Sequence, residues 1–320
     1  MNCHFYKEFF DDYQNETVEI EDRVQSLYIV NSVFNAFSAY SAIMLNILSI
    51  HAMRKTSSLP KPLKTLLLSL AASDLGIGLL VQPLYITLLL AENSQNCVMP
   101  TVSFIIIWFF ANASFLGILA ISVDRFLAIH LHLRYQELVT HKRVVAAVIF
   151  IWLLSAFLSW LDFWMARAQN VTFKAFVTIF FGLCFICTTV VYCRIYVTAR
   201  RHRNEIQAMQ LQAAASTAQN GKQGPNVTKQ RKSSLGTFYV YLVFLVCHLP
   251  EYCIFVASLK AISDPNTVLK SLIPCAWTLV FLNSSLNPLV YCWKMRQIRH
   301  TILDTLRNVF LKVTNEKSID

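Results

Sequence analysis

At 320 residues, 55% of them hydrophobic and only 14% charged, the chain is too apolar for a water-soluble domain of its length. Its formal net charge of +10 would suit nucleic acid, but the cations sit in alternate connections between apolar runs, so membrane sidedness accounts for them and a nucleic-acid partner is unnecessary. No Ser/His/Asp, Cys/His or metal-ligand constellation argues for an enzyme.

Residues 1–25 are acidic and lack an apolar h-region, so they are read as an extracellular segment without a cleavable signal, span one serving as signal anchor. Seven apolar stretches follow: Tyr28 to Met53, Thr65 to Ala91, Cys97 to Val123, Val144 to Leu161, Ala175 to Cys193, Ser233 to Leu259 and Ser271 to Trp293. Each is near the length needed to cross a bilayer. Backbone groups in hydrocarbon must bond within their own segment, and two-residue alternation is missing. The expected fold is therefore an all-α bundle of seven transmembrane helices over residues 26–293, not a barrel.

The connection at about 204–230 is rich in Ala, Gln, Ser, Asn and Gly and reads as a flexible loop with helical extensions of spans five and six at its ends. Over 294–320, basic residues alternate with Ile298, Ile302, Leu303, Leu306 and Phe310 at helical spacing. That pattern predicts a short amphipathic helix lying on membrane lipid, followed by a tail.

Lys and Arg gather after span one, between spans three and four, between five and six, and in the tail, while acids cluster from Glu8 to Asp22. The positive-inside rule then places the N-terminus outside and the C-terminus in the cytosol of a multi-pass plasma-membrane protein. Asn15 and Asn170 open glycosylation sequons on the outer side. Of nine cysteines, only Cys3, Cys97 and Cys275 can reach an oxidising compartment; a bridge from Cys3 to one of the others and free thiols both remain open.

Two acids interrupt the spans, Asp74 in the second and Glu251 in the sixth, and an ionisable group in hydrocarbon marks a functional site unless proven otherwise. Asp124 and Arg125 end span three, where the Arg can pair with its neighbour in one state and with other helices or a cytosolic partner in another. An ordinary snorkelling Arg is the competing reading. Asn283, Asn287, Pro288 and Tyr291 put polar groups and a helix break in the inner half of span seven. Asp74 and Ser114 are candidate partners for them.

These residues resemble rhodopsin-like (class A) G-protein-coupled receptors. The likeness covers all seven spans: Asn46, Leu70-Ala71-Ala72-Ser73-Asp74, Asp124-Arg125-Phe126, Trp152, Tyr192, Phe244 with Cys247-His248-Leu249-Pro250, and Asn287-Pro288-Leu289-Val290-Tyr291. It implies that an extracellular small molecule or peptide drives the inner end of span six outward and opens a cavity for a heterotrimeric G protein. Arg125 would then meet the transducer, Tyr192 and Tyr291, and Leu133 would insert into the G-protein α-subunit. Arrestin and receptor kinases are the further partners it implies. No organic cofactor is expected; the resemblance implies a sodium ion beside Asp74, with Ser114, Asn283 and Asn287 as oxygen donors. A protonated Asp74 in a hydrogen-bonded network fits equally.

The departures matter. His248 stands where the family usually has Trp, and is either a neutral, hydrogen-bonded core group or a pH sensor. Pro100 replaces the usual cysteine of span three, and Cys184 stands where a proline normally bulges span five. Gln230 replaces an acid that would restrain Arg125, so appreciable basal activity is expected. A short, cysteine-free second outer loop is similar to that of the melanocortin, adenosine, cannabinoid and lysophospholipid receptor group. Within it, Leu84, Pro100, Phe104 and Phe255 replace the ligand-binding residues of melanocortin and adenosine receptors, and Ile107 the Asp of amine receptors.

A candidate outer pocket comprises Gln82, Ile107, Trp108, Phe176, His248, Glu251, Tyr252 and Phe255, mostly apolar with a few polar groups. Glu251 there is either the counter-ion of a cationic ligand or the internal partner of His248 or Lys174. The rival class is a proton- or ion-coupled transporter with Asp74, His248 and Glu251 as a relay, for which broken half-helices and internal repeats would be needed.

Overall fold

Seven helices are long and apolar enough to cross a membrane: Gln25–Lys55, Lys61–Leu90, Val98–Ala128, His141–Met165, Ala175–Thr198, Thr237–Ala257 and Leu272–Lys294. These are spans one to seven. The computed structural model describes residues 18–56, 59–90, 98–131, 134–167, 171–215, 225–260, 267–295, 298–305 and 307–308. Helix α1 is Val18–Lys55; span two is α2 (Lys61–Gly76), a π-turn at Ile77–Val81, and α3 (Gln82–Leu90). Next come α4 (Val98–His130), the short α5 (Tyr135–Leu138), α6 (His141–Arg167), α7 (Val171–Ala215), α8 (Pro225–Lys260) and α9 (Thr267–Lys294). A last helix, α10, covers 298–305. Among the described residues there is no strand.

Several hydroxyls on the spans are satisfied within their own helix, as hydrocarbon favours: Ser155, Ser159, Thr188 and Thr189 each donate to the carbonyl four residues back at 2.7 Å. Span three is the axle, touching spans two, four, five and six. Burial follows: 61%, 56% and 50% of the apolar windows of spans seven, two and three lie inside the bundle, against 17% for four and five. The outer faces of four and five present Phe150, Leu153, Phe157, Ile179, Leu183 and Ile186 to the surroundings. The inner surfaces hold the polar side chains instead, an apolar-out arrangement suited to lipid.

The π-turn of span two was not legible as such. Pro83 lacks the N–H that would bond the Leu79 carbonyl, and a wider turn just before it relieves the ring's clash with that carbonyl. Gly76 and Gly78 let neighbours close in: a Cβ on Gly76 would lie 2.0 Å from the Phe110 ring, and one on Gly78 3.1 Å from the Ala39 carbonyl.

Span five behaves as its missing proline suggests, since α7 is an unbroken α-helix through Cys184. Helix also occupies much of the 204–230 connection, to Ala215 on one side and from Pro225 on the other. Cys275 carries a free thiol, one of the two alternatives its sequence context left open. The amphipathic helix expected after span seven is α10: Ile298 and Ile302 are buried in the main core with Met295 and Tyr291, so its apolar face also docks on the bundle, while Leu303 stays exposed. Thr301 and Thr56 share a 3.0 Å hydrogen bond across this joint. Cys3, Cys97, Asn15, Leu133 and Asn170 lie outside the described residues, as does the side chain of Gln230.

Candidate functional site

At the inner end of span three, Arg125 is fully buried and Asp124 nearly so. Arg125 donates from Nε to Asp124 Oδ2 at 2.9 Å, and its Nη2 bonds the same oxygen. The other carboxylate oxygen accepts the Tyr135 hydroxyl at 2.7 Å. Burial, and next the adjoining Asp124 carboxylate, push the Tyr135 hydroxyl above its ordinary pKa, so it remains a donor. A snorkelling Arg would reach for water; this one does not. Its Nη1 has no partner among the described residues, a buried donor available to another acceptor.

The surroundings of Arg125 are aromatic. Tyr192 stacks on Tyr241 of span six with centroids 4.5 Å apart, and both share one core with Phe244 and Tyr291. The Tyr291 hydroxyl is buried and without a partner among the described residues. Phe244 packs 5.8 Å from Phe115 and from Phe185 and lies 3.9 Å from the His248 ring, joining spans three, five and six. Near the inner ends of spans six and seven, Lys294 Nζ sits 3.9 Å from the Tyr239 centroid and 3.3 Å from that of Trp293.

In mid-bundle, Asp74 is fully buried and its Oδ2 accepts Asn287 Nδ2 at 2.9 Å. Pro288 cannot donate to the carbonyl four residues earlier, that of Ser284, and Asn46 Nδ2 of span one fills it at 2.9 Å. The helix break thus becomes an inter-helix joint. Asp74 Oδ1, Ser114 Oγ, Asn283 Oδ1 and Asn287 Oδ1 are buried with no partner among the described residues. Four oxygens of this kind, one from a carboxylate, suit a hard monovalent cation, so the residues present fit the implied ion.

The outer half divides in two. Gln82 is fully buried and donates to Asn35 Oδ1 at 3.4 Å. Asn35 in turn donates to Thr278 Oγ1 at 2.8 Å, and Thr278 bonds Asn31. Beside this network Ile107 packs with Tyr85 and Phe281, and Trp108 meets Trp277 edge-on at 5.6 Å. On span six, His248 Nδ1 lies 3.0 Å from the Phe244 carbonyl, which can only accept, so Nδ1 carries the proton. His248 Nδ1 thus bonds the backbone of its own helix rather than the Glu251 side chain. Glu251 and Phe255 are half-buried, and Tyr252 donates to the Thr178 carbonyl at 3.2 Å. No described residue bonds or pairs with the Glu251 carboxylate; the Lys174 side chain is outside the described set. Phe176 is 65% exposed, so the bundle does not enclose it with the others.

Sequence reasoning missed Asn31, Asn35, Thr278, Tyr135 and Lys294. A signal existed for the first two: Asn31, Asn35, Ser38, Ala42, Asn46 and Ser49 recur at helical spacing in span one, and all are buried.

Comparison with known proteins gives a consistent picture. The sequence profile described as 7 transmembrane receptor (rhodopsin family) matches residues 45–174 and 166–291. Adenosine receptor A3 of Ovis aries is 27% identical over 285 residues, covering 83% of this chain and 86% of the relative. Histamine H2 receptor of Rattus norvegicus is 29% identical over 255 residues, 73% of this chain and 67% of the relative. Melanocortin receptor 3 of the same species is 25% identical over 296 residues, 88% and 86% respectively. The family and these relatives are receptors rather than enzymes, and they lend the transporter reading no support.

Proposed function

The chain belongs to the rhodopsin family of seven-transmembrane receptors and is a multi-pass G-protein-coupled receptor, and on that footing we propose how its residues couple an extracellular ligand to the heterotrimer. Ligand binding among Ile107, Trp108, His248, Glu251 and Tyr252 shifts Phe244 and, with it, span six. The inner end of span six swings out, the Tyr192–Tyr241 stack parts, and Arg125 exchanges Asp124 for Tyr192, Tyr291 and the transducer. Leu133 enters the α-subunit. The observation that carries this reading is Arg125: a wholly buried guanidinium held by one neighbouring carboxylate, with a donor to spare and tyrosines around it.

A bound sodium ion would be held by Asp74, Ser114, Asn283 and Asn287, where it neutralises the buried carboxylate. The relatives are named for adenosine, histamine and melanocortin, yet Phe255, Ile107 and Leu84 replace the residues expected to serve such ligands, so a distinct ligand is proposed. The N-terminus lies outside the plasma membrane with glycans on Asn15 and Asn170, and the tail meets arrestin and receptor kinases.

Purified protein incubated with a panel of heterotrimers and no ligand tests the coupling and, through Gln230, the expected basal activity. Accelerated nucleotide exchange on at least one heterotrimer, lost in Arg125→Ala, is the predicted result. Silence on the whole panel contradicts it.

A further inference from the structure

Between spans three and four, at the end bearing Arg125, the surface opens into a crevice of about 590 Å³. Its walls are carbon: Leu119 and Val123 on one side, Ala147 and Phe150 on the other. Two polar residues border it, Asp124 and Arg143. Asp124 is spoken for, both oxygens being bonded to Arg125 and Tyr135. Arg143 differs. Its Nη1 donates to the Leu138 carbonyl at 2.8 Å and leans on that of Glu137 at 3.5 Å, which fixes the guanidinium at the crevice mouth. The Nε–H and Nη2 donors, a fork matched to phosphate, have no partner among the described residues.

Length and charge identify the occupant. Wall residues on span four run from Arg143 to Leu154, about 16 Å at ~1.5 Å per residue, or roughly half of a ~30 Å hydrocarbon core. That is the depth of one leaflet. The link at the mouth carries exposed Arg134, Lys142 and Arg143 against the single acid Glu137, an excess of two positive charges. We propose that the crevice is a binding site for one acyl chain of an anionic phospholipid, with the lipid phosphate held on Arg143. The site requires only that the chain sit in a bilayer, so it stands or falls apart from the signalling mechanism. Leu138 lines the crevice beside this mouth and belongs to the same short helix as Tyr135, so an occupied crevice braces the Tyr135–Asp124 bond.

The test is native mass spectrometry of the full chain, titrated with phosphatidylglycerol or with phosphatidylcholine of the same acyl chains. The expected result is one phosphatidylglycerol retained about tenfold more tightly than phosphatidylcholine. Arg143→Gln abolishes the preference, and Ala147→Trp, which fills the crevice from an exposed position, abolishes retention. Equal retention of both lipids, or a preference that survives both substitutions, overturns the proposal and leaves ordinary annular lipid. A photoreactive acyl chain on phosphatidylglycerol checks the native protein without substitution. Adducts on the segments around Leu119 and Phe150 support the site, and adducts scattered over all spans refute it.

Discussion

Lys294→Met isolates a contact between spans six and seven. Lys294 follows Trp293 on the same helix, so that contact survives any movement of span six; the one to Tyr239, 3.9 Å from Nζ, does not. A cation over an aromatic face contributes ~0.5–1 kcal/mol when exposed and ~2 kcal/mol when desolvated. Lys294 is half-buried, which puts the Tyr239 contact at about 1–2 kcal/mol in the packed state alone. Its loss shifts the balance between the two packings about 5- to 30-fold toward the open one. The assay is ligand-free nucleotide exchange on a purified heterotrimer, normalised to folded receptor. Tyr239→Leu should raise basal exchange as Lys294→Met does, Tyr239→Phe should leave it near the parent value, and the double variant should exceed neither single. Unchanged exchange in both singles, or effects that simply multiply, refutes the latch.

Gly76→Ala drives a Cβ to 2.0 Å from Phe110; an overpacked interface of this kind costs about 1–3 kcal/mol, so the purified receptor should melt several degrees lower and recover in Gly76→Ala/Phe110→Leu. A single variant as stable as the parent would show that the ring yields freely. Sodium, compared with choline at equal ionic strength, should raise the melting temperature of the parent and not of Asp74→Asn; a sodium effect that persists removes the ion from Asp74. Glu251→Gln should weaken a cationic agonist tenfold or more at normal surface expression, and an unchanged response assigns Glu251 an internal role.

Much of the scaffold was legible because the bilayer dictates it: an apolar run of the right length has helix as its one solution, and the spans fell within a few residues of expectation. The Asp74–Asn287 bond and the Asp124–Arg125 pair were also legible, since polar groups in oil must find one another. What escaped depended on which faces meet. Gln82 reads as a pocket residue until the π-turn is seen before it, with its amide bonded to Asn35. Tyr135 lies in a link with no periodicity to orient it, and only the tertiary fold places it against Asp124. Ile298 and Ile302 fit a lipid-facing stripe as well as a bundle-facing one, and amphipathicity alone does not tell the two oily surfaces apart.

The most direct test of the coupling mechanism is the distance between spectroscopic probes at the inner ends of spans three and six, measured with and without a nucleotide-free heterotrimer. Two separations should be seen, with the longer one gaining population when the heterotrimer binds and already detectable in Lys294→Met without it. A single, fixed separation under every condition would contradict a receptor that works by choosing between two packings.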